Sequence, residues 1–333
     1  MAALKDVYRP MQLDEVIGNK IAKETLSEIL SRDPKIMPRT FLLTGPRGCG
    51  KTTFAYIIGT MLGVFDPEDP YNPDFREYDA GTTRGIDTVR QIREECGYAP
   101  QISHFIVFFL DEAHQLTKDG QEGLLKTLEH VPEHVFFILA TTDPDKLTET
   151  VRSRCINITV KPLIRDEILQ LLEEVLIAEE LSDFPPSILN KIAEVCEGIP
   201  REALQMLEKV VGLEEASALE ALDDVTVNDK TLADLCQVLI DSNITSDEKW
   251  ERAKKVIGSM KDSRGETDPE KMRRGILTYL HKVRMNSTDH GRIAHMINIM
   301  SKPIFSSGVP GLVNNIYYCC YAGTIKSLIL TAN

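Results

Sequence analysis

The sequence predicts an α/β domain, in which a parallel sheet lies between helices, followed by two smaller all-helical domains. Short β-rich runs alternate with helical patterns over residues 41–160, as in βαβ units. The runs 105–110 and 135–141 are apolar without alternation, which is typical of central strands covered on both faces. From residue 162 the apolar spacing is helical only. We expect a sheet domain over residues 1–161, a helical lid over 162–226 and a helical domain over 227–333.

The individual elements follow from the same patterns. The predicted strands are 41–44, 105–110 and 135–141, with a helix over 52–62 after the first of them. Helical spacing of apolar residues begins at Ile164, and further helices are predicted over 187–196 and 201–211. Residues 214–229 are acidic and only weakly patterned. Residues 232–333 are again helical in pattern, with breaks near 263–269 and 303–311.

Composition and charge describe an ordinary globular chain whose contacts with nucleic acid must be local. Lysine and arginine total 38 against 51 aspartate and glutamate, and the formal net charge of −13 repels the DNA backbone. No apolar run could serve as a signal peptide or cross a membrane, so we expect a cytoplasmic protein without membrane contacts. The seven cysteines are scattered and odd in number, which fits free thiols in a reducing compartment.

A phosphate-binding loop is predicted directly after the first strand. The residues Gly45, Pro46, Arg47, Gly48, Cys49, Gly50, Lys51 and Thr52 match GxxxxGK[ST] between a predicted strand and a predicted helix, which is the context that this motif requires. Backbone N–H groups and the helix N-terminus would bind the phosphates, Lys51 would reach the β and γ phosphates, and the Thr52 hydroxyl would ligate Mg²⁺.

Two carboxylates follow the apolar strand 105–110. Asp111 and Glu112 should lie at the carboxyl edge of the sheet, where open α/β folds bind ligands. Asp111 would hold Mg²⁺ and Glu112 would orient the attacking water. Alone, such a pair could be a solvated acidic turn, but the phosphate loop upstream favours catalysis. His114 is expected to support the site rather than react.

Beyond these motifs, five segments resemble the AAA+ clamp-loader family of the bacterial DNA polymerase III gamma/tau subunit and the replication factor C small subunits. They are residues 8–10 with 13–18, residues 78–87, residues 124–129 with 132–135, residues 140–147, and Ser153-Arg154-Cys155. The resemblance covers about residues 7–210. It implies an AAA+ P-loop ATPase module over residues 1–161 with a helical lid, and a C-terminal helical collar that joins subunits.

The resemblance also implies roles for single residues. Thr142 corresponds to the sensor-1 residue near the γ-phosphate, and Arg201 to the sensor-2 arginine of the lid. An arginine in the first turn of a helix is unfavourable for the helix dipole, which favours a role beyond capping. The expected ATP contacts are Tyr8, Arg9, Val16 and Ile17 over the adenine, then Gly45, Pro46, Arg47, Gly48, Cys49, Gly50, Lys51, Thr52, Thr53 and Arg201.

Arg154 has a different expected role. By itself a Ser-Arg-Cys tripeptide carries no information, and an arginine there could be a surface charge. After the segment that resembles sensor 1, the resemblance implies an arginine finger that enters the ATP site of the neighbouring subunit. Such a finger is worth about 10³- to 10⁵-fold in rate, so hydrolysis should depend on assembly.

DNA and the sliding clamp are the other partners that the resemblance implies. Thr82, Thr83, Arg84 and Arg90 lie in the segment that resembles the family's DNA-contacting one, although a polar helix start with a solvated Arg90 would look the same. The loop at residues 98–100 corresponds to the family's clamp contact. The four-cysteine zinc module of the bacterial gamma/tau subunit is replaced by a stretch over 62–76 without cysteine, so we expect ATP and Mg²⁺ but no zinc.

The motifs predict an ATPase, and the resemblance implies that it is a subunit that opens a sliding clamp and places it on primer–template DNA, within a ring or spiral of about five subunits. A branch-migration motor or another remodeller would explain the phosphate loop but not Ser153-Arg154-Cys155. A non-hydrolysing scaffold subunit is disfavoured by the intact Lys51 and Glu112. The string Asp-Glu-Ala-His also occurs in DEAH-box helicases, but the sequence has no second helicase domain with its arginine motif.

Overall fold

The computed structural model describes residues 3–67, 71–181, 183–227, 230–259, 269–286, 290–302, 304 and 308–322. The chain forms two compact units, Met1–Ala218 and Leu219–Asn333, and each is described by itself. The three-part division at residues 161 and 226 stays a prediction.

A five-stranded parallel sheet forms the centre of the first unit, with the strand order β2-β3-β4-β1-β5. The strands are β1 (Thr40–Thr44), β2 (Phe75–Asp79), β3 (Ile106–Asp111), β4 (Val135–Thr141) and β5 (Ile156–Thr159). The three strands predicted from apolar runs are confirmed, and β3 and β4 are interior strands as expected. Because all five strands run in parallel, their carboxyl ends share one edge, and Asp79 is the register partner of Asp111 there.

Helices cover both faces of this sheet. Helices α2 (Lys20–Leu30) and α3 (Lys51–Met61) pack on one face, and α4 (Ile86–Glu95) and α5 (Lys118–Glu129) pack on the other. Strand β4 shows why both faces are apolar: Phe136 and Ile138 join the first core, whereas Phe137 and Leu139 join the second. Two short helices, α1 (Leu4–Val7) and α6 (Glu149–Arg152), complete this part. The helix predicted over 52–62 corresponds to α3.

Three helices follow the sheet and are called the lid helices below, after the predicted lid: α7 (Arg165–Ala178), α8 (Pro186–Val195) and α9 (Pro200–Val210). They match the helices predicted from Ile164 onwards. The turn before α9 depends on Gly198, which has φ +78°, because a Cβ there would lie 2.1 Å from the carbonyl oxygen of Leu163. The weakly patterned stretch 214–229 is helical over Glu215–Val227 (α10), which the low apolar periodicity does not predict.

The second unit is helical and has its own core. After α10 it contains α11 (Lys230–Ile240), α12 (Ser246–Ser259), α13 (Pro269–Asn286), α14 (His290–Met300) and α15 (Gly308–Cys320). Its fully buried members include Leu235, Leu239, Met296 and Ile316. Two breaks are predicted in this region, and most of their residues lie outside the described part of the chain. These residues are 263–268, 303 and 305–307. Within the described parts of the chain, no helix is long and apolar enough to cross a membrane.

Candidate active site

A cavity of about 440 Å³ opens at the carboxyl edge of the sheet. The ends of β2 and β3, the loop after β1, the N-terminal segment and the lid helices all contribute to its wall. Its lining comprises Lys5, Asp6, Tyr8, Arg9, Pro10, Glu15, Val16, Ile17, Asn19, Arg47, Gly48, Cys49, Gly50, Lys51, Thr52, Thr53, Phe54, Asp79, Asp111, Glu112, Leu163, Leu171, Pro200, Arg201 and Leu204. Most of the residues predicted to contact ATP therefore face one space.

The predicted phosphate loop joins β1 to α3, whose first residue is Lys51. At Gly45 the backbone has φ +151°, and a Cβ would lie 2.0 Å from the carbonyl oxygen of Val160, so only glycine fits. Gly50 caps α3 in the left-handed region at φ 104°. Gly45 and Pro46 are not among the lining residues, and their carbonyl oxygens accept hydrogen bonds from Lys51 Nζ at 2.9 Å and 3.0 Å.

Lys51 is a buried cation at the floor of the cavity, with 6% of its surface exposed. Burial lowers the pKa of its ammonium group, while the carboxylates of Glu112 and Asp111 oppose this shift. A desolvated cation that has only carbonyl oxygens as hydrogen-bond acceptors gains much from a bound anion. The site is therefore prepared electrostatically for phosphate.

Thr52 and Asp111 form the oxygen pair that Mg²⁺ chemistry requires. Thr52 Oγ1 donates to Asp111 Oδ2 over 3.3 Å, and the backbone N–H of Glu112 donates to Asp111 Oδ1 over 2.9 Å. Burial raises the pKa of the Asp111 carboxyl, a cost that a bound cation would offset. A hydroxyl and a carboxylate are hard oxygen ligands of the kind that Mg²⁺ selects, so these residues fit the ion.

Glu112 is held by polar neighbours rather than by Asp111 alone. Its backbone has left-handed torsions, φ 48° and ψ 42°, which turn the side chain away from the strand direction. Thr142 Oγ1 donates to Glu112 Oε2 over 3.2 Å, and His114 Nδ1 lies 3.3 Å from the same oxygen. Burial lowers the pKa of His114, although Glu112 opposes the shift. The structure thus places Thr142 against Glu112, outside the cavity lining, and His114 in the supporting position that was expected.

The N-terminal segment contributes another part of the cavity wall. Val16 is buried, and Tyr8 reaches the lid, where its hydroxyl donates to Glu179 Oε1 over 2.6 Å. The guanidinium of Arg9 lies 5.3 Å from the ring centre of Tyr56, a cation–π distance. Tyr8, Arg9, Val16 and Ile17 all line the cavity. This wall offers apolar and planar surface to a base.

The lid touches the phosphate loop directly. The backbone N–H of Arg201, in the first turn of α9, approaches the carbonyl oxygen of Gly48 at 3.4 Å. A Cβ on Gly48 would lie 2.8 Å from Ile199 Cγ2, so the glycine permits this close approach. Arg201 lines the cavity, and its contact with the phosphates stays a prediction.

Arg154 is absent from the cavity lining formed by the described residues of its own chain. Its Nη2 donates to Glu129 Oε1 over 2.6 Å, and its Nη1 donates to the carbonyl oxygen of Thr150 over 2.8 Å. The side chain remains 32% exposed. This placement is compatible with a role at a neighbouring site, and the role itself stays a prediction.

The segment with the predicted DNA residues follows β2. The hydroxyls of Thr82 and Thr83 both donate to the carbonyl oxygen of Asp79, over 3.1 Å and 2.8 Å. Arg90 pairs with Asp87 at 2.8 Å on the exposed face of α4. Thr82, Thr83, Arg84 and Arg90 are all exposed, so a polymer could reach them, but their role in DNA binding stays a prediction.

The irregular loop 97–105 after α4, which includes the predicted clamp contact, is anchored by a buried carboxylate. Asp74 accepts the backbone N–H groups of Gln101, Ile102 and Ser103 at 2.7–2.8 Å. Burial raises the pKa of this carboxyl, but the three donors outweigh that effect and the pKa lies below its ordinary value. The loop displays Tyr98 at 62% exposure.

Asp79 and Asn19 both line the cavity, but neither is among the site residues predicted from the sequence. Asp79 faces the cavity because β2 lies next to β3, and strand order is not visible in the sequence. Asn19 lines the cavity too. It lies one residue beyond the segment 13–18 that resembles the clamp-loader family, so the resemblance does not include it. Asp79 lies in the segment 78–87 that resembles the clamp-loader family, and this resemblance is the signal that could have been used.

The fold and this cavity define a P-loop nucleotide-binding protein of the AAA+ class. Among solved structures, the RuvB Holliday junction branch migration motor of Thermotoga maritima has a TM-score of 0.55 and 22% identity, covering 73% of this chain and 84% of that chain. A point mutant of the same motor gives a TM-score of 0.56 at 20% identity, covering 74% of this chain and 85% of that chain. At this identity the likeness shows the fold alone.

Sequence comparison points to one family within this class. Residues 18–164 match the family model described as DNA polymerase III, delta subunit. Relatives include the DNA polymerase III subunit tau of Bacillus subtilis (33% identity, 63% of this chain, 39% of that protein), the subunit gamma of Buchnera aphidicola (33%, 62% and 60%) and the subunit tau of Escherichia coli (31%, 71% and 39%). These matches support a relationship to the AAA+ clamp-loader subunits of DNA polymerase III. The chain spans less than two thirds of the length of these relatives.

Proposed function

We propose that this chain is an ATP-hydrolysing subunit of a clamp loader, which opens a sliding clamp and places it on primer–template DNA. The observation that carries the proposal is the meeting of Lys51, Asp111 and Glu112 at one cavity in a chain with these relatives. The lysine and the acidic pair supply the cation and the carboxylates that phosphoryl transfer to water needs.

Lys51 and the loop amides would bind the triphosphate. Lys51 Nζ now donates to the carbonyl oxygens of Gly45 and Pro46, and phosphate oxygens would replace these acceptors. The gain is large because the ammonium group is desolvated and a charged acceptor is stronger than a carbonyl. The N-terminus of α3 adds positive potential at the same place.

Thr52 and Asp111 would hold Mg²⁺, which when bound neutralises charge on the β and γ phosphates. The 3.3 Å contact between them brings both oxygens to one side of the phosphate loop. Glu112 would then accept a hydrogen bond from the attacking water and orient it. Thr142 and His114 limit where the Glu112 carboxylate can lie, since both contact its Oε2 atom.

Two arginines would link hydrolysis to the positions of the lid and the neighbouring subunit. Arg201 reaches the cavity from α9, so it can bind phosphate within its own chain. Arg154 lies elsewhere on the surface and would complete the site of the next subunit in a ring or spiral of about five. Hydrolysis would therefore be slow in the free chain and fast in the assembly.

DNA and the clamp would stimulate the reaction by contacting exposed segments of the first unit. The exposed Thr82, Thr83, Arg84 and Arg90 offer hydroxyl and guanidinium donors to DNA phosphates, which explains how an acidic chain could bind DNA locally. Loop 97–105 would contact the clamp. The helical second unit would supply the collar that joins subunits.

The proposal is tested by measuring ATP hydrolysis with the purified co-complex, the sliding clamp and primed DNA, together with the native mass of the complex. We expect slow turnover by the chain alone and strong stimulation only when the clamp and primed DNA are both present. Lys51→Ala in the same complex is the matched control. Absence of any lysine-dependent turnover would favour a scaffold subunit, and a closed homohexamer that moves branched DNA would favour a motor like RuvB.

A further inference from the structure

The N-terminal segment that carries Tyr8, Arg9, Val16 and Ile17 is called the base-covering segment here. The side chain of Asn19 ties it to the start of the lid. We propose that Asn19 is a positioning residue that makes the base-covering segment and the lid move together, so that binding of the base brings Arg201 to the phosphates. The inference rests on the proposed binding of ATP in this cavity.

The tie consists of two opposed hydrogen bonds between residues 142 positions apart in the sequence. Asn19 Nδ2 donates to the carbonyl oxygen of Lys161 over 3.0 Å. The backbone N–H of Lys161 donates to Asn19 Oδ1 over 2.8 Å. The amide group thus pairs with the N–H and the C=O of a single residue, in the way that a residue of a neighbouring strand would. An ionised carboxylate has no donor and an apolar side chain has neither donor nor acceptor, so neither could make both bonds at this position.

Lys161 lies between the end of the sheet and the first lid helix, so its hydrogen bonds with Asn19 affect where the lid begins. The sheet ends just before it, since the N–H of Val160 still donates to the carbonyl oxygen of Thr44 over 2.7 Å. The first lid helix begins four residues later, at Arg165. Lys161 is therefore the first residue of the connection, and Asn19 fixes where the chain leaves the sheet.

The backbone of Asn19 supports the same interpretation. It has left-handed torsions, φ 48° and ψ 38°, which L-residues other than asparagine and aspartate rarely adopt. Gly18 before it has φ +67°, and a Cβ there would lie within 2.8 Å of Leu163 and Glu167, both on the lid side. Two consecutive residues thus keep an unusual backbone that brings the base-covering segment against the lid.

Further contacts link the connection between β5 and α7 to the phosphate loop. The N–H of Leu163 donates to the carbonyl oxygen of Gly198 over 2.8 Å, and three residues later Arg201 approaches Gly48 of the phosphate loop. Val16, Ile17, Asn19, Leu163 and Arg201 all line the same cavity. A base that pushes on Val16 and Ile17 can therefore shift Arg201 through the side-chain bonds of Asn19 and the backbone contacts that follow them.

The test measures affinity for a non-hydrolysable ATP analogue by calorimetry, using the full chain. Asn19→Gly removes both bonds but keeps a residue suited to left-handed torsions. Asn19→Asp keeps the acceptor for the Lys161 N–H and turns the other bond into a repulsion. Lys20→Ala is the matched control, because Lys20 is the next residue, is 83% exposed and pairs only along its own helix with Glu24 among the contacts described. Thermal unfolding without nucleotide checks that each variant is folded.

We expect both Asn19 variants to bind the analogue about three- to tenfold more weakly, because less of the protein has the lid in place. The control should bind as the wild type does. The decisive readout is Arg201→Ala, which should weaken binding by a smaller factor in the Asn19→Gly background than in the wild type. A merely structural role for Asn19 would leave that factor unchanged.

The outcomes separate this inference from the function on which it rests. If the wild-type chain fails to bind the analogue, the proposed function is wrong and the inference falls with it. If the wild type binds and the Asn19 variants bind equally well, or if the losses for Asn19→Gly and Arg201→Ala simply multiply, the inference alone is overturned.

Discussion

The charged residues at the cavity and those on the surface of the first unit differ in their exposure to solvent and in their partners. At the cavity, Lys51 and Asp111 are desolvated and contact groups from other elements of the fold. On the surface, Arg90 pairs with Asp87 on its own helix, and Arg154 pairs with Glu129 at the end of α5. The first kind of charge is already in position for a ligand, whereas the second must exchange a local partner for an external one.

The difference indicates how the molecule could bind ATP alone and yet depend on partners for turnover. Exposed ion pairs contribute about 0–1 kcal/mol, so a phosphate or a neighbouring subunit can displace them at little cost. A buried cation or carboxylate without its partner costs several times more. The effects of substitutions in the two groups should therefore differ in magnitude, and different assays should detect them.

The largest effect is expected for Arg154→Ala. Hydrolysis by the assembled complex with clamp and primed DNA should fall by about 10³- to 10⁵-fold, because the proposed finger would stabilise transition-state charge in the adjacent site. ATP affinity of the free chain should not change. Arg152→Ala is the control, since Arg152 lies two residues away and makes a comparable surface pair with Asp145 at 3.2 Å. Unchanged turnover in the assembled complex would exclude the finger role.

Lys51→Ala should act within the free chain. We expect a loss of about 100- to 1,000-fold in hydrolysis, together with weaker binding of ATP, because a desolvated cation aimed at the phosphates is removed. Equilibrium binding of a fluorescent ATP analogue would measure the second effect without any partner. Wild-type affinity in this variant would mean that the triphosphate lies elsewhere.

Asp74→Asn should loosen loop 97–105 without touching the ATP site. Amide hydrogen exchange at residues 101–103 should become at least about tenfold faster at neutral pH, because a neutral acceptor replaces a charged one that receives three N–H groups. The pKa of Asp74 is lowered below 3.8 in the folded state, so its contribution is fully present above that value and is lost as the pH falls through the lowered pKa. The difference in protection between wild type and variant should therefore vanish in acid; a difference that persists there would contradict the assignment to the charged carboxylate.

The smallest effect is expected for the exposed pair on α4. Arg90→Ala should weaken binding of primed DNA by the complex about threefold and reduce the slope of log affinity against log salt by about one. Asp87→Ala frees Arg90 from its 2.8 Å pair and should strengthen binding slightly. Fluorescence anisotropy at several salt concentrations would measure both, and equal slopes for all three proteins would remove Arg90 from the DNA contacts.

Much of the fold could be predicted because its strongest signals are local. The strands β3 and β4 are buried on both faces, so their composition alone distinguishes them, and glycine requirements mark the loop before α3. The edge strand β2 has no such signal, since Phe75–Asp79 is only partly buried and carries three charged residues. Helix α10 was also missed, because an acidic stretch with few periodic apolar residues has little amphipathic pattern.

The sequence by itself determined the chemistry of the phosphate end: a glycine loop with Lys51 and Thr52, and an acidic pair after an apolar strand, since each depends on a short contiguous motif. Only the tertiary structure decided which other residues share the cavity. Asp79 faces it because β2 pairs with β3, Thr142 contacts Glu112 because β4 lies beside β3, and Asn19 meets Lys161 across 142 residues. Strand order and long-range side-chain pairing arise from packing of the whole sheet with its helices, and no local pattern encodes them.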